Sequence, residues 1–217
     1  TADIAHELRN PLAVLQGTLE ALADGIYAPT AENIQPALDQ VRTLNRLVGD
    51  LRTLAQADAG QLELERQPLN LAALLRRVIN TYREPLTEKG IALHYNIAPH
   101  LPDVLADYER LHQVLGNILS NALRYVPARA YVRIVAQVET DGVVVRVIDN
   151  GPGVPDQDLS RLFERFWRGE PSRSRATGGS GLGLAIAQRI IAAHNGRIWA
   201  EPSPGGGLTV AFWLPEA

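Results

Sequence analysis

Residues 117–125 read Asn-Ile-Leu-Ser-Asn-Ala-Leu-Arg-Tyr, and this stretch decides the fold class of the second part of the chain. It belongs to a strongly amphipathic helix predicted over residues 107–125. Asn117, Asn121 and Arg124 fall on one face of that helix, at spacings of four and three, and the aliphatic residues turn inward. An amide oxygen is a hard ligand suited to Mg²⁺. A helix whose amides simply meet solvent explains the stretch equally well when it is taken alone.

The sequence on both sides of this helix alternates between helical and strand patterns. Two more helices are predicted at residues 71–89 and 182–194. Strands are predicted at residues 91–97, 131–138, 143–148, 197–201 and 208–214, with a turn at 140–142 joining the second strand to the third. This order predicts an α+β sandwich with helices on one face of a mixed sheet.

The first part of the chain is helical throughout. Two apolar stripes with helical spacing are separated by a turn near Asp24 and Gly25. The first stripe comprises Ile4, Leu8, Leu12, Leu15, Leu19 and Leu22, and the second Ile34, Leu38, Val41, Leu44, Val48, Leu51 and Leu54. Thr30 and Asn33 are the predicted caps of the second helix. We expect an all-α helical hairpin that forms a four-helix bundle with a second copy, because two helices cannot bury both stripes alone. Packing against the rest of the same chain is the alternative.

The helical period breaks around Asp58-Ala59-Gly60 and again at Gln67-Pro68. We therefore expect a multi-domain protein, with the helical hairpin at residues 1–66 and the α+β domain at residues 67–217. A short hinge near residues 57–68 separates them. The sequence shows no internal repeat and no low-complexity tract.

Two glycine-containing segments are suited to holding a nucleotide. Asp149 follows a predicted strand, so its carboxylate can accept the amino proton of adenine, and Gly151 and Gly153 let the backbone pass close to the ring. Residues 179–184 read Gly-Ser-Gly-Leu-Gly-Leu and open a helix, where free N–H groups face an anion. No strand directly precedes this segment, which argues against a Rossmann loop. A tight turn remains the alternative for each segment.

His6 lies early in the first helix, on the side opposite Ile4 and Leu8, so we expect it to face solvent. A neutral imidazole is a good nucleophile near pH 7. Glu7 beside it can hold the proton of one ring nitrogen while the other attacks, and Asn10 lies one turn further along. A surface histidine without a reaction is the alternative. The residues alone leave this choice open.

The order of these motifs resembles that of the sensor histidine kinases of two-component systems. Residues 6–11, His-Glu-Leu-Arg-Asn-Pro, look like the family's H-box, and residues 12–17 are most similar to the BaeS-like envelope-stress sensors. Residues 117–125 resemble the N-box, 149–153 the Asp-x-Gly-x-Gly box, 162–168 the F-box, and 179–184 and 205–209 the glycine boxes. The resemblance covers nearly the whole chain. It implies a protein-histidine kinase with an ATP-binding domain of the GHKL type.

The resemblance also implies a role for each motif residue. His6 would be phosphorylated from ATP with Glu7 as acid/base, and the phosphoryl group would pass to an aspartate of a response regulator receiver domain. Glu7 and Asn10 would support phosphatase action on that partner, and Asn117 would bind Mg²⁺. The remaining ATP-binding residues implied are Asn121, Arg124, Tyr125, Asp149, Gly151, Gly153, Gly179, Ser180, Gly181, Leu182, Gly183 and Thr209, with Arg173 and Arg175 on a basic lid between residues 169 and 179.

Composition limits the remaining classes of function. The net charge of −3 gives no basis for expecting a nucleic-acid partner, and the absence of cysteine excludes disulfides and thiolate metal sites. The chain has no methionine, even at position 1, so we expect it to be an internal part of a longer protein. We expect it to be the cytoplasmic domain of a bacterial inner-membrane protein, attached to the membrane only through segments upstream. A gyrase- or chaperone-type ATPase and a noncatalytic scaffold are the rival functions.

Overall fold

The computed structural model describes residues 2–169 and 179–217, and the side chains from Ile4 onward. The chain divides into two units, residues 1–56 and 57–217. The predicted lid arginines Arg173 and Arg175 lie outside the described residues. Among the described residues, no helix is both long enough and apolar enough to cross a bilayer.

The first unit is built from two helices, α1 (Ala2–Ala23) and α2 (Ala31–Asp58), in the predicted helical hairpin. Thr30 caps α2 as expected, because its hydroxyl accepts the Asn33 N–H at 3.3 Å and its carbonyl accepts the Ile34 N–H at 3.0 Å. Asn33 is not a second cap; its side-chain amide donates to the carbonyl of Ala28 at 2.9 Å. A proline lies inside each helix, and Pro11 in α1 is buried.

The described residues of the second unit, 57–169 and 179–217, form three helices beyond α2, seven strands and two short 3₁₀ helices. In chain order they are β1 (Gln67–Leu69), α3 (Leu71–Glu88), β2 (Ala92–Ile97), β3 (Val104–Ala106), α4 (Tyr108–Tyr125), β4 (Tyr131–Val138), β5 (Gly142–Asp149), the 3₁₀ helices Asp156–Asp158 and Ser160–Phe163, α5 (Gly183–Ala193), β6 (Arg197–Pro202) and β7 (Leu208–Pro215). The predicted helices and main strands are confirmed to within a residue or two. The predicted break in the helical period at Gln67-Pro68 coincides with the start of β1, which pairs antiparallel with β3. Neither strand follows from the sequence, because three residues are too few to show a periodicity.

The main sheet has the strand order β2-β4-β5-β7-β6. Strand β2 runs parallel to β4, and every other neighbouring pair is antiparallel, so the sheet is mixed as predicted. The turn between β4 and β5 places Thr140 at φ 30° and Asp141 at φ 55°, a left-handed pair typical of tight hairpins. In this strand order β5 lies at the centre of the sheet, and Asp149 is its last residue.

Helices α3, α4 and α5 supply about half of the buried apolar residues of the second unit, and the sheet and its connections supply the rest. In α4, residues Leu111, Val114, Leu115, Ile118 and Leu119 are all at most 2% exposed. Across the sheet, Ile134, Val147 and Val210 are register partners and are also buried. Because one stripe of α4 is completely buried, its opposite stripe is held in a defined direction, and that stripe carries Asn117, Asn121 and Arg124.

Polar contacts fasten the segment that begins the second unit. Asp58 pairs with Arg165 and, at 3.3 Å, with Arg189, and the hydrogen bond and charge of Arg165 hold the pKa of Asp58 below its ordinary value. Further along, the Glu65 N–H donates to Asp107 Oδ2 at 3.0 Å, and the Arg66 guanidinium donates to the carbonyl of Ala193.

Asp107 also joins the start of α4 to the end of α5. Its Oδ1 caps α4 by accepting the Arg110 N–H at 3.0 Å, while its own N–H donates to Nε2 of the buried His194 at 3.0 Å. Nδ1 of His194 lies 2.8 Å from the carbonyl of Ile190, so that nitrogen carries the proton. Burial lowers the pKa of His194 below its ordinary value of 6.5, and the imidazole is therefore neutral at pH 7.

Candidate active site

His6 is exposed on α1, as the helical spacing predicts. Asn10 is exposed one turn later, Glu7 is half-buried, and Pro11 is buried. Residues 6–10 of α1 therefore present an imidazole and an amide to solvent. The roles of His6, Glu7 and Asn10 in catalysis remain predictions.

Asn117 on α4 contacts the start of α5. Its Nδ2 donates to the carbonyl of Gly183 at 2.9 Å. That bond orients the amide, and it leaves Oδ1 as the atom that can accept a cation or a water. A side chain at position 183 would crowd Asn117, since an added Cβ would lie 3.4 Å from its Cγ. Glycine at 183 thus lets the two helices approach at the predicted metal ligand.

Arg124, two turns along α4, contacts the other end of the glycine segment. An added Cβ on Gly179 would lie 2.8 Å from Cζ of Arg124, so the guanidinium lies directly against the backbone of Gly179. Arg124 also lies 6.0 Å from the ring of Tyr125, which is 46% exposed. One face of α4 therefore lines the glycine segment from Gly179 to Gly183, with an amide at one end and a positive charge at the other.

The glycine segment itself is held from its far side by the residues that follow the second 3₁₀ helix. The Phe166 N–H donates to the carbonyl of Gly181 at 3.0 Å. Both residues have left-handed backbones, with φ of 60° at Phe166 and 67° at Gly181, and an added Cβ on Gly181 would lie 2.8 Å from the backbone of Phe166. Leu182 is fully buried and Ser180 is half-buried. The segment opens α5 with its backbone fixed, as anion binding at a helix N-terminus requires.

Asp149 is held by two backbone N–H groups. Its Oδ1 accepts from Gly151 at 2.8 Å and from Leu208 at 3.2 Å. Burial raises the pKa of Asp149 above its ordinary value, and these two hydrogen bonds partly offset that rise. With Oδ1 engaged, Oδ2 is the oxygen that can accept a proton donor from a ligand. The geometry fits the predicted adenine contact.

Three glycines make this arrangement of Asp149 possible. Gly207, at φ 99°, approaches so closely that an added Cβ would lie 2.7 Å from Cα of Asn150 and closer still to the carbonyl oxygen of Asp149. Gly153, at φ 68°, lies against the carbonyl oxygen of Gly207, 3.0 Å from where its Cβ would be. Gly151 lies against Val126, the residue that follows α4. The Asp149 turn thus reaches the same end of α4 as Arg124 and Tyr125.

Thr209, also predicted to bind ATP, is 3% exposed, and its hydroxyl lies 2.9 Å from that of Ser203. Its hydroxyl therefore joins the residue that follows β6 to β7, and contact with a nucleotide remains a prediction. Two residues outside the predicted motifs also donate hydrogen bonds to α4: Tyr82 of α3 and Lys89, the residue that follows α3. The sequence signal for Lys89 is its place before Gly90, since a basic residue beside a helix-ending glycine can donate to carbonyl groups at a helix end.

Comparisons with known proteins agree with this arrangement. Residues 1–60 match the His Kinase A (phospho-acceptor) domain, and residues 106–217 match the histidine kinase-, DNA gyrase B- and HSP90-like ATPase family. The chain is 44% identical over 214 residues to the signal transduction histidine-protein kinase BaeS of Escherichia coli K12, with 99% of this chain and 46% of that protein covered. The chain thus spans about half the length of this curated relative.

Solved structures of histidine kinases share the fold. The kinase AdeS of Acinetobacter baumannii has a TM-score of 0.81 and 29% identity, with 97% of each chain covered. Full-length ShkA in complex with AMPPNP has a TM-score of 0.73 and 32% identity over 100% of this chain and 45% of that chain. ThkA in complex with the response regulator TrrA has a TM-score of 0.76 and 25% identity over 100% and 61%. The chain therefore belongs to the sensor histidine kinases, with a phospho-acceptor helical domain followed by an ATPase domain of the gyrase B and HSP90 type.

Proposed function

We propose that this chain is the catalytic core of a sensor histidine kinase that phosphorylates itself on His6 from ATP and passes the phosphoryl group to a response regulator. The observation that carries the proposal is the meeting of Asn117 and Arg124 on α4 with the two ends of the glycine segment at Gly183 and Gly179. The AMPPNP complex of ShkA, a neighbour in fold, supports ATP as the substrate.

The residues of the pocket suit the separate parts of ATP. Asp149 reads the adenine amino group through Oδ2, and Tyr125 lines the pocket beside it. Arg124 and the backbone N–H groups of the glycine segment, Gly179 to Gly183, hold the phosphates, with Asn121 on the same face of α4. Guanidinium and backbone donors are the groups that bind phosphate oxygens best.

Asn117 is the residue that would hold Mg²⁺, because its Nδ2 is committed to Gly183 and its Oδ1 is the atom available to a hard cation. When bound, Mg²⁺ neutralises charge on the β- and γ-phosphates of ATP. Hydrogen bonding to Gly183 fixes the amide plane, so Asn117 does not rotate between donor and acceptor orientations. Arg173 and Arg175 are proposed to add positive charge from the lid.

His6 is proposed as the nucleophile. The unprotonated ring nitrogen attacks the γ-phosphorus, the bond from that phosphorus to the bridging oxygen breaks, and ADP leaves. The proton on the other ring nitrogen is taken by Glu7. The attacking nitrogen must come within about 3 Å of the phosphorus. We propose residues 57–68 as the hinge that permits this approach, between domains at residues 1–66 and 67–217.

The test is incubation of the chain with γ-labelled ATP and Mg²⁺, followed by a search for acid-labile, base-stable label. We expect label on the wild type and on His100→Ala, an exposed histidine in the second unit, and none on His6→Ala. Label that persists in His6→Ala would overturn the assignment. ATP turnover without any label would favour an ATPase, and ATP binding without either would favour a scaffold.

The chain is also proposed to act as a homodimer through the hairpin. Five predicted stripe residues, Leu12, Leu19, Leu38, Val41 and Val48, are 40–58% exposed in the single chain, which leaves an apolar face for a second copy to cover. Sedimentation velocity should give a dimer for the wild type and a monomer for Leu19→Glu. Leu105→Glu, at a site 47% exposed in the second unit, should leave the dimer intact.

The remaining proposals concern the partner and the place of action. The complex of ThkA with TrrA supports a receiver domain as the acceptor of the phosphoryl group. Glu7 and Asn10 are proposed to assist its dephosphorylation by orienting a water, so Asn10→Ala should slow phosphate release from a phosphorylated receiver more than it slows labelling of His6. We also propose that this core lies in the cytoplasm and belongs to a longer, membrane-attached protein.

A further inference from the structure

Helix α3 and the residue that follows it contact α4 through polar side chains at two places, which flank the proposed nucleotide-binding face. At one end, Nζ of Lys89 donates to the carbonyls of Leu123 at 2.6 Å and Arg124 at 3.0 Å. At the other, the hydroxyl of Tyr82 donates to the carbonyl of Gly116 at 3.0 Å. Gly116 immediately precedes Asn117. The two contacts therefore bracket the stretch of α4 from the Mg²⁺ ligand to the phosphate ligand.

The backbone at Lys89 is fixed by the end of α3. The Lys89 N–H donates to the carbonyl of Pro85 at 3.2 Å, and Gly90 reverses the chain at φ 74°. The Ile91 N–H then closes the turn on the carbonyl of Leu86 at 2.8 Å, and the carbonyl of Gly90 accepts the Arg129 N–H at 2.8 Å. This turn is therefore tied both to its own helix and to the loop after α4. The half-buried ammonium of Lys89 is aimed by a rigid support.

The carbonyls that Lys89 reaches are among the last of α4, where a helix has no N–H groups of its own to offer. The Val126 N–H takes the carbonyl of Ala122 at 2.9 Å, and Lys89 takes the next two. A positive charge at this end is favoured by the helix dipole, and hydrogen bonds from an ammonium are stronger than neutral ones. Without it, the last turn of α4 would lose its charged partner and fray.

The side chains on that last turn are Arg124 and Tyr125, both in the proposed ATP site. The guanidinium of Arg124 lies against Gly179, and any change in the direction of the last turn moves it away from the glycine segment. Tyr82 acts in the same way on Asn117, because Gly116 and Asn117 share one turn of the helix. Neither Lys89 nor Tyr82 belongs to a nucleotide-binding motif.

We propose that Lys89, assisted by Tyr82, is a positioning residue for ATP: the two side chains hold α4 at both ends of its nucleotide-binding face, and Lys89 sets the direction of Arg124 and Tyr125. The proposal rests on the proposed function, since it assigns support to the same ATP site. According to this proposal, the affinity for ATP depends on α3 and its end, although none of the proposed ATP-binding residues lies there.

The experiment compares four variants of the full chain: Lys89→Met, which removes the ammonium and keeps the length; Lys89→Arg, which keeps the charge; Tyr82→Phe; and Arg76→Met, an exposed cation on the same helix. The Kd of AMPPNP is measured by calorimetry, and KM and kcat by labelling of His6. We expect Lys89→Met to raise Kd and KM by about tenfold, the scale of one charge-assisted hydrogen bond, with kcat within about twofold. Tyr82→Phe should raise both by a few fold, and Lys89→Arg and Arg76→Met should stay near the wild type.

The outcomes separate this proposal from its rivals. Unchanged Kd in Lys89→Met, or equal losses in Lys89→Met and Lys89→Arg, would overturn it. A loss of affinity that follows the unfolded fraction measured by circular dichroism would show a merely structural role, and Tyr82→Phe, which deletes one oxygen, then decides the matter by its own Kd. Absence of AMPPNP binding in the wild type would instead refute the proposed function.

Discussion

The two units of this chain bury their apolar residues to very different degrees. In α4, five aliphatic residues of one stripe are at most 2% exposed, whereas in α1 and α2 five residues of the predicted stripes are 40–58% exposed. Both sets have helical spacing, so periodicity alone does not distinguish them. The second unit carries a complete core of its own, and the helical hairpin has an apolar face that needs a partner. The free energy of unfolding of the second unit should therefore not depend on protein concentration. That of the first unit should depend on it, because a second chain covers its apolar face.

The largest expected effect tests this contrast directly with two leucine-to-alanine variants. Leu119→Ala, at a fully buried site, should lower the free energy of unfolding of the second unit by about 2–5 kcal/mol, because it leaves a cavity. Leu12→Ala, at a site 50% exposed, should have its effect on association instead. Urea denaturation at two protein concentrations is the measurement. A concentration-dependent loss for Leu119→Ala, or a concentration-independent one for Leu12→Ala, would break the comparison.

A second pair of variants tests the glycine turn that supports Asp149 in the proposed ATP site. Gly205 and Gly207 both have left-handed backbones, at φ 86° and 99°, so alanine at either costs about 1–2 kcal/mol. Only at Gly207 would the new Cβ overlap the backbone of Asp149 and Asn150, which adds about 1–3 kcal/mol and displaces Asp149. Gly207→Ala should therefore lose both stability and AMPPNP affinity, and Gly205→Ala only a little stability. Equal AMPPNP affinities in the two variants would contradict this view of the pocket.

The acid sensitivity of the second unit should depend on His194. Because burial lowers its pKa in the folded state, the unfolded chain takes up a proton first as the pH falls. The stability contributed by the neutral imidazole is present above pH 6.5 and is lost as the pH falls from there toward the lowered pKa. Asp107 and Arg66 are the charged groups near it and act on the pKa in opposite directions.

Chemical denaturation at pH 7.5 and pH 5.5 measures this loss. His194→Gln should be less stable at the higher pH and should show a shallower decline between the two than the wild type, because glutamine does not titrate. His100→Gln, at an exposed site, should keep the wild-type decline. An unchanged decline in His194→Gln would assign the acid sensitivity to other groups.

The smallest expected effect concerns two exposed ion pairs of different reach. Asp39 pairs with Arg42 within a single turn of α2, at 2.9 Å, whereas Asp58 pairs with Arg165 and Arg189, both more than a hundred residues away. Neither Asp→Asn substitution should change thermal stability much, since exposed pairs contribute little. Asp58→Asn should nevertheless speed proteolysis near Gly60, because it releases that segment, and Asp39→Asn should not. Equal cleavage rates in the two variants would show that the ion pairs of Asp58 do not hold the segment near Gly60 in place.

Most of the fold could be predicted from the sequence, because most of its elements show a clear periodicity of apolar residues. The helices around Leu119 and the strands around Val145 have strong patterns, so their existence and type follow from spacing. Strands β1 and β3 have three residues each and escape detection for that reason. Asn33 was predicted as a cap because its residue type suits one, and only the geometry shows that Thr30 already fills that place.

The sequence predicts candidate site residues where a motif joins chemistry to spacing, and it predicts none where such a motif is absent. Asn117, Asp149 and the glycines are predicted site residues because each belongs to a motif with a suitable chemistry, and their contact with ATP stays a prediction. The contact between Asn117 and Gly183 joins residues 66 positions apart, and its direction, amide to carbonyl, follows only from the fold. Lys89 belongs to no sequence motif, because its partners are backbone carbonyl groups and every residue type carries one.

Phe166 has a consequence for how this protein would change under selection. An aromatic residue held at φ 60° costs about 1–2 kcal/mol that glycine would not, but Phe166→Gly would also remove the half-buried ring, so thermal tolerance would gain little from it. The same substitution frees the backbone that donates to Gly181 at the start of the glycine segment. A library screened for heat resistance should therefore accept either residue at this position, whereas one screened for signalling should keep Phe166, and the comparison would show whether the strain is retained for activity.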